Sequence, residues 1–289
     1  MTEAATPWFA PAGDRAATYW RAVQRYRDLP AFSEALVPAP PARVSVLVPT
    51  LNEEDYVGDA CRSLSLQTLR RDHPSRVEVV LVDSGSRDAT RAVARPFVDR
   101  VVSAPRGKLA ALATGVHKAR GEVVVEADAD GWYPPGWLHR MVRAFADPAV
   151  AAVRGRFVYY DSPVLRVTSP ALRAALSAVG NFPGGVRAYR RSAFLATGGF
   201  RPVNASNFWS VWPEEEFAFR RRLKARGRIV DARDAVCFKS ARRGDPFFVR
   251  DPRADKFRHD LRASGRFRDG VTDSLYRARK LIAGAIALR

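Results

Sequence analysis

The stretch V-V-V-E-A-D-A-D, residues 123–130, joins a short apolar run to two aspartates. An apolar run of this length, followed by a polar loop, predicts a buried strand. Residues two apart in an extended loop can point the same way, so Asp128 and Asp130 can act as a pair. Mg²⁺ and Mn²⁺ are held by one or two carboxylates together with oxygens of a substrate phosphate. An isolated D-x-D is common and by itself indicates only a solvated turn, so its surroundings decide its meaning.

Other apolar runs on either side of this stretch also read as strands, and helical patterns alternate with them. The expected strands cover residues 44–48, 77–82, 98–103, 122–126 and 150–158, with Ile229 and Val230 as a final addition. The expected helices cover residues 14–28, 54–67, 88–95, 108–120, 135–146, 164–180 and 214–226. This alternation predicts an α/β fold with a doubly wound, mostly parallel sheet.

Polar clusters follow three of the expected strands, at residues 49–54, 83–88 and 128–130. In a doubly wound sheet the ligand binds at the carboxyl ends of the strands. The coincidence of three clusters at three strand ends therefore predicts a ligand site there, and it favours a functional role for Asp128 and Asp130.

Composition and charge limit the class of protein. The 289 residues are 47% hydrophobic and 27% charged, which is typical of a globular chain. No run reaches the ~20 apolar residues of a membrane span, and the first residues lack the apolar block of a secretory signal. Cys61 and Cys237 lie far apart, and neither belongs to a metal-type spacing. Cys61 falls on a helical pattern and Cys237 in an apolar run, so we expect buried thiols and a reducing, cytoplasmic location.

The formal net charge is +18. A positive field attracts nucleic acid, anionic lipid and phosphorylated substrates alike. The sequence contains no RNA-binding aromatic motif, zinc-finger spacing or helix-turn-helix, so we do not expect nucleic acid as the main partner. The C-terminal run 281–288 follows several basic residues, which indicates either peripheral membrane contact or a helix packed on the domain.

Five segments, in order and spacing, resemble the family 2 glycosyltransferases of GT-A fold, which transfer a sugar from a nucleotide donor with inversion. The segments are V-S-V-L-V-P-T-L-N-E-E (44–54), V-V-L-V-D-S-G-S-R-D-A-T (79–90), G-K-L-A-A-L-A-T-G-V-H-K-A-R-G-E-V-V-V-E-A-D-A-D (107–130), P-G-G-V-R-A-Y-R-R-S-A-F (183–194) with G-G-F (198–200), and E-E-E-F-A-F-R-R-R-L-K-A-R-G (214–227). Each piece is weak alone, but the five together are specific. The resemblance covers roughly residues 43–235. It implies a GT-A domain at 43–240, a helical extension and linker at 1–42, and a basic extension at 241–289.

The resemblance also implies site residues. These are Pro49, Thr50, Asn52 and Glu53 around the nucleoside, Asp83 on the base, Lys108 near the nucleotide, and Gly184 and Gly185 in the loop that shapes the donor-sugar and acceptor site. Asp128 would contact the ribose or the metal, and Asp130 would be the more direct ligand of Mn²⁺ or Mg²⁺. The residues themselves allow structural roles as well: Thr50 or Asn52 can cap a helix, and Asp83 can stabilise a turn.

The catalytic base of the family is usually the aspartate of a Glu-Asp pair that opens a late helix. Here that place holds Glu214-Glu215-Glu216, and no aspartate is present. Glutamate can make the same proton abstraction, and the spacing to Gly227 favours Glu215, with Glu214 and Glu216 left open. As a structural alternative, acidic residues stabilise a helix N-terminus.

The family sometimes adds a histidine metal ligand after the late helix. Residues 236–243 contain no histidine but carry Lys239, Arg242 and Arg243. This cluster either meets the donor diphosphate or forms a solvated basic face.

The expected reaction is inverting transfer from a UDP- or GDP-type sugar donor to a hydroxyl of a glycan, lipid or small molecule. A nucleotidyltransferase of similar architecture is one alternative, although it would usually have a glycine-rich basic loop where residues 49–54 are acidic. A non-catalytic basic module that binds nucleic acid or anionic membrane is the other. A dinucleotide-binding oxidoreductase is excluded, because no G-x-G-x-x-G follows the first strand.

Overall fold

The computed structural model describes residues 28, 30–32, 42–162, 186–200 and 212–241. Its strands are β1 (Val44–Thr50), β2 (Val77–Asp83), β3 (Arg100–Ser103), β4 (Val123–Glu126), β5 (Gly131–Trp132), β6 (Val150–Tyr159), β7 (Arg187–Arg190) and β8 (Arg228–Lys239). Its helices are α1 (Glu54–Ser65), α2 (Thr68–Asp72), α3 (Thr90–Ala94), α4 (Lys108–Lys118), α5 (Trp137–Val142), α6 (Arg191–Ala196) and α7 (Trp212–Lys224). The predicted α/β class is confirmed.

The strands in this part of the chain form one mixed sheet in the order β3-β2-β1-β4-β7-β6-β8-β5. The neighbours β3, β2, β1 and β4 run parallel, with Thr50 beside Asp83 and Leu47 beside Glu126. Antiparallel pairs follow in the rest of the sheet, and the first of them joins β7 to β4. The parallel half is the doubly wound sheet that the sequence predicts, and its register brings the ends of β1, β2 and β4 to one edge.

Apolar residues cover both faces of the parallel strands. Along β1, Val46 and Val48 belong to one buried cluster, whereas Leu47 belongs to the other, because successive strand side chains point to opposite faces. The first cluster takes in residues of α1 and α5, and the second takes in residues of α4 and α7. A sheet buried on both faces requires near-continuous apolar strands, which is why these strands could be recognised from the sequence.

Both cysteines are buried and free, as expected. Cys61 packs in the first cluster, and burial raises its pKa to about 12. Its thiol therefore stays protonated and acts as a small apolar group in the core.

Several element bounds differ from the prediction. The first helix ends at Ser65 and a separate short helix, α2, follows. The strand predicted at Ile229 and Val230 continues through Lys239. Charged residues interrupt its first half, so no continuous apolar run marked the strand in the sequence. The short strands β5 and β7 were not predicted. The late helix was predicted at 214–226 and covers Trp212–Lys224.

The chain divides into two compact units, one of residues 1–158 and 174–239 and another of residues 159–173 and 240–289. In the second, the Ser240 hydroxyl and the Ala241 amide donate to the Asp161 carboxylate at 2.5 and 2.6 Å. The domain boundaries after residues 42 and 240 stay a prediction. Sequence predictions outside the described residues are the helices at 14–28 and 164–180 and the C-terminal run 281–288. The helices that the structure describes include none with the length and apolar character needed to span a membrane.

Candidate active site

Asp128 lies between two lysines at the end of β4. Lys108 Nζ is 2.5 Å from Oδ1 of Asp128, and Lys239 Nζ contacts Oδ2. Burial alone would raise the pKa of Asp128, but the two ammonium groups outweigh it and hold that pKa far below the usual range. Asp128 is therefore ionised at neutral pH and pairs with both lysines.

Two structural features place the lysines. Lys108 is the first residue of α4, and Gly107 before it has φ 120°, a backbone conformation that favours glycine. Lys239 is the last residue of β8 and pairs with Gly131 of β5, directly after the aspartates. Lys239 Nζ also lies 4.7 Å from the ring centroid of Phe157. The strand β8, which comes late in the chain and pairs antiparallel with β5, thus places the ammonium group of Lys239 beside the loop after β4.

The loop that carries both aspartates is held by its own backbone and by Tyr133. The Tyr133 hydroxyl and the Gly131 amide donate to the Asp128 carbonyl at 2.9 and 3.2 Å. Burial raises the pKa of Tyr133 well above its usual value, so the hydroxyl remains a donor. Asp130 lies in the same turn and is only 9% exposed. The turn thus holds Asp128 against the lysines and places Asp130 two residues further along the same loop.

The loops after β1 and β2 are joined by hydrogen bonds. Asn52 has φ 53°, its amide donates to the Ser86 hydroxyl at 2.9 Å, and its Oδ1 accepts from the Arg87 amide at 2.9 Å. The Glu53 amide donates to the Thr90 hydroxyl at 2.7 Å. Asn52 and Glu53 thus lie in a double loop at the same sheet edge as Asp128, directly after Pro49 and Thr50 at the end of β1.

The cap interpretation of Thr50 and Asn52 is wrong. Thr50 ends β1, and the N-cap of α1 is Glu53, without a side-chain cap hydrogen bond. The Asn52 side chain binds the neighbouring loop instead, because its positive φ turns the chain before the helix begins.

Asp83 closes the turn after β2. Its buried carboxylate accepts hydrogen bonds from the Ser86 hydroxyl at 2.5 Å, Arg91 Nε at 2.7 Å and the Thr50 hydroxyl at 3.4 Å. Burial raises the pKa of Asp83, but the bonds from Ser86 and Arg91 outweigh it and hold the pKa below its usual value. Asp83 therefore has the turn role that the sequence allowed, and its contact with a base stays a prediction.

The structure brings together most of the predicted site residues that it describes. Lys108, Asp128 and Asp130 lie at the end of β4, and the nucleoside residues lie at the ends of β1 and β2. Gly184, Gly185, Arg242 and Arg243 fall outside the described part of the chain. Helix α7 includes Glu214, Glu215 and Glu216, but their side chains also fall outside it, so their roles stay predictions.

Sequence reasoning missed a buried ion pair beside the site. Arg187 of β7 contacts Glu126 of β4, and both side chains are buried. The signal was present, since a glutamate in the apolar strand V-V-V-E must find a partner to be buried. The partner could not be read from sequence, because Arg187 is far away in the chain and meets Glu126 only when β7 pairs with β4.

A sequence model described as Glycosyl transferase family 2 matches residues 45–212, more than half of the chain. The chain belongs to glycosyl transferase family 2. The resemblance seen in the motifs is therefore confirmed, and with it the expected GT-A type of fold.

The matches between this chain and its curated relatives cover only part of each relative's length. The undecaprenyl-phosphate 4-deoxy-4-formamido-L-arabinose transferase of Pseudomonas fluorescens (strain Pf0-1) is 33% identical over 195 residues, which cover 59% of this chain and 55% of the relative. Glycosyltransferase AglE of Haloferax volcanii is 29% identical over 119 residues, or 39% and 38% of the two chains. This chain thus spans about half the length of the first relative.

Solved structures share the fold. The mannosyltransferase PcManGT of Pyrobaculum calidifontis, in complex with GDP-Man and Mn²⁺, superposes with a TM-score of 0.56 at 29% identity, covering 80% of this chain and 65% of that one. Residues 1–349 of S. aureus TarS give a TM-score of 0.51 at 20% identity, covering 70% and 61%. Both are similar in the arrangement of the sheet and helices.

The loop after β4 has two of the carboxylates that a divalent cation of the Mg²⁺ or Mn²⁺ type takes, although both oxygens of Asp128 contact lysine ammonium groups in this structure. Such a cation uses one or two protein carboxylates and takes further oxygens from phosphate and water, and Asp128 and Asp130 supply two carboxylates in one turn. Within the described ranges, no group of three or more His, Cys, Asp and Glu side chains is placed to hold a metal.

Proposed function

We propose that this protein transfers a sugar, with inversion, from a UDP- or GDP-type donor to an acceptor hydroxyl. The observation that carries the proposal is the Lys108–Asp128–Lys239 cluster at the end of β4, beside the double loop formed after β1 and β2. Phosphate carries the charge that such a cluster attracts, and the double loop offers polar groups for a nucleoside. Membership of family 2 supports this assignment.

In the proposed complex each loop binds a different part of the donor. The residues Pro49, Thr50, Asn52 and Glu53 hold the nucleoside, with Asp83 at the base. The loop after β4 receives the diphosphate, and Asp130 with Asp128 would hold Mn²⁺ or Mg²⁺. When bound, that metal neutralises charge on the leaving diphosphate without proton transfer.

The acceptor reacts on the opposite side of the anomeric carbon from the leaving group. A general base must then take the hydroxyl proton during attack, and Glu215 is the residue we assign, with Glu214 as the neighbour that can replace it. Gly185 belongs to the loop that shapes the donor-sugar and acceptor site. The roles of the base and of Gly185 rest on sequence position alone.

A second acceptor class is a polyprenyl phosphate. The relative from Pseudomonas fluorescens is named for undecaprenyl phosphate, and the net charge of +18 favours contact with an anionic membrane surface. A phosphate oxygen is already ionised at neutral pH, so transfer to it needs no general base. Transfer to a hydroxyl therefore requires Glu215 as a base, whereas transfer to a phosphate does not.

A thermal-shift screen of UDP- and GDP-sugars, with and without Mn²⁺, tests the proposal directly. We expect one donor class to raise the melting temperature, and Mn²⁺ to increase the shift. Hydrolysis of that donor to the nucleoside diphosphate, detected by chromatography, would separate a glycosyltransferase from a basic binding module. Release of pyrophosphate from a nucleoside triphosphate would instead identify a nucleotidyltransferase and contradict the proposal.

A further inference from the structure

Gln67 is a buried amide between α1 and α2. Its nitrogen donates to the carbonyl oxygens of Ser63, Tyr133 and Pro134 at 3.1, 2.9 and 2.8 Å. Its Oε1 accepts from the Leu138 amide at 2.8 Å. Three carbonyl acceptors and one N–H donor fix which end of the side chain is the nitrogen. One side chain thus joins the end of α1 to the segment that connects β5 to α5.

Tyr133 extends this connection to the turn that holds the aspartates. Its backbone amide donates to the Ser63 hydroxyl at 3.2 Å, and its carbonyl accepts from Gln67. Its own hydroxyl donates to the Asp128 carbonyl at 2.9 Å. A Cβ at Gly131 would collide with that hydroxyl, so the ring lies directly against the turn. The backbone of Tyr133 is therefore held from α1, and its side chain holds the turn.

The ring of Tyr133 also has packing contacts of its own. It is buried, and its centroid lies 4.5 Å from that of Trp137. Aromatic pairs at this separation contribute packing free energy whether or not a hydroxyl is present. Removal of the hydroxyl alone should therefore leave the ring in place and break the bond to Asp128.

A purely structural clamp would end at the backbone of Tyr133, because that contact already ties α1 to the chain after β5. The bond from the Tyr133 hydroxyl goes further, to the main chain of the turn that carries Asp128 and Asp130. The position of such a turn matters on a fine scale, since a displacement of about 1 Å can reduce a rate about a hundredfold. The connection therefore has a consequence for the site and not only for the core.

We propose that Gln67 is a positioning residue for the candidate site, and that it acts through Tyr133 to set the turn that carries Asp128 and Asp130. Gln67 holds the backbone of Tyr133, and the Tyr133 hydroxyl holds the Asp128 carbonyl. Neither Gln67 nor Tyr133 is assigned a contact with the substrate. This inference rests on the proposed function, which puts the donor diphosphate and its metal at this turn.

Calorimetric titration of UDP and GDP into the full chain, repeated over a range of Mn²⁺ concentrations, tests the inference. We expect Tyr133→Phe to raise the Mn²⁺ concentration for half-maximal binding about threefold to tenfold, as for loss of one hydrogen bond. At saturating donor and Mn²⁺, kcat for sugar transfer should fall about tenfold to a hundredfold. Affinity for uridine and guanosine should stay unchanged, because the loops after β1 and β2 are not altered.

The matched control is Tyr189→Phe, which removes another buried phenol hydroxyl. That hydroxyl donates to Glu126, which keeps its ion pair with Arg187 in the variant. Tyr189→Phe should therefore stay within a few-fold of the wild type in both measurements. Equal changes in Tyr133→Phe and Tyr189→Phe would indicate a general effect on the core and would overturn the inference.

A double-variant cycle tests whether Gln67 acts through Tyr133. Gln67→Met keeps the approximate volume of the side chain and removes its hydrogen bonds, and Gln67→Glu serves the same cycle if the first variant does not fold. We expect the Gln67 variant to change Mn²⁺ dependence and kcat at least as much as Tyr133→Phe does. The double variant should lose little more than the Gln67 variant alone, because residues in one connected network are not additive.

Fully multiplied losses in the double variant would show that Gln67 acts independently of Tyr133 and would contradict the inference. Wild-type Mn²⁺ dependence and kcat in Tyr133→Phe would overturn it as well, and would leave the proposed function standing. If the wild-type chain binds neither UDP nor GDP in the presence of Mn²⁺, the proposed function fails first, and the inference with it.

Discussion

Glu126 and Arg187 form a solvent-excluded ion pair between β4 and β7. Arg187 Nε is 2.8 Å from Oε1 of Glu126, and the two side chains are 1% exposed for Glu126 and 0% for Arg187. The Tyr189 hydroxyl donates to the same oxygen at 3.0 Å. Because Glu126 precedes Asp128 by two residues, the pair fixes the strand that delivers the aspartates.

The same arginine reaches the late helix. Its guanidinium carbon lies 5.0 Å from the ring centroid of Phe200 and 5.5 Å from that of Phe219, and Phe219 belongs to α7. Arg187 thus links the strand before the aspartates to the helix that includes the acidic triplet.

Replacing Arg187 by Met should lower the free energy of unfolding by about 3–5 kcal/mol, since it leaves a buried carboxylate without its cation. The double variant Arg187→Met with Glu126→Leu should recover most of this loss, because an apolar pair of similar size can replace a buried ion pair. Urea unfolding measures both values. A loss below about 1 kcal/mol in the single variant would contradict the importance of the pair.

Asp130→Ala should abolish sugar transfer and the effect of Mn²⁺ on UDP or GDP binding. The melting temperature should change little, because a loop carboxylate contributes little to the core. Activity assays across Mn²⁺ concentrations measure the first effect, and circular dichroism checks the fold. Near-normal turnover with Mn²⁺ present would show that the metal assignment to Asp130 is wrong.

Asp83→Ala should weaken donor binding by about 1–3 kcal/mol, as expected for a lost hydrogen bond to a charged group. Turnover of the donor that still binds should stay comparatively high. Ser86→Ala is the matched control, since it removes a hydrogen bond of the turn without removing the carboxylate. Equal losses of donor affinity in the two variants would mean that Asp83 acts only through the turn.

The pKa of Asp83 makes its contribution to stability depend on pH. A carboxyl whose pKa is lower in the folded state stabilises the fold above its unfolded pKa, about 3.9, and loses this effect as the pH falls through the folded value. The stability difference between wild type and Asp83→Asn should thus be constant from pH 7 to about 5 and shrink below about 4. Urea unfolding across this range measures it. A constant difference down to the lowest pH would contradict the folded-state pairing of Asp83 with Ser86 and Arg91.

Glu215→Gln should reduce transfer to a hydroxyl acceptor by about 10²–10⁴-fold with donor binding preserved, because glutamine cannot accept the proton. Glu216→Gln is the matched control, and Glu214→Gln tests the alternative base. A residue that only stabilises the helix N-terminus should change the free energy of unfolding by about 0.3–1 kcal/mol. Steady-state kinetics and melting curves separate these effects. Turnover within a few-fold of wild type in all three variants would exclude a base in the triplet.

The fold could be predicted in its parallel half because the signals there are local. The apolar runs of β1, β2 and β4 are buried on both faces, and a polar cluster ends each of them, so strand and loop could be recognised within a few residues. The antiparallel half gave weaker signals. β5 and β7 are short, and charged residues interrupt the first half of β8, so none of the three has a long continuous apolar run.

The sequence by itself determined the fold class, the edge of the sheet at which the polar strand ends meet, and Asp128 and Asp130 as the acidic pair in one of its loops. Each of these follows from residues adjacent in the chain. The tertiary structure alone decided that Lys108 and Lys239 meet on Asp128, that Arg187 meets Glu126, and that Asn52 binds the loop after β2 rather than capping a helix. The physical reason is that these contacts depend on which strands pair and in what register, and pairing is set by packing of the whole sheet.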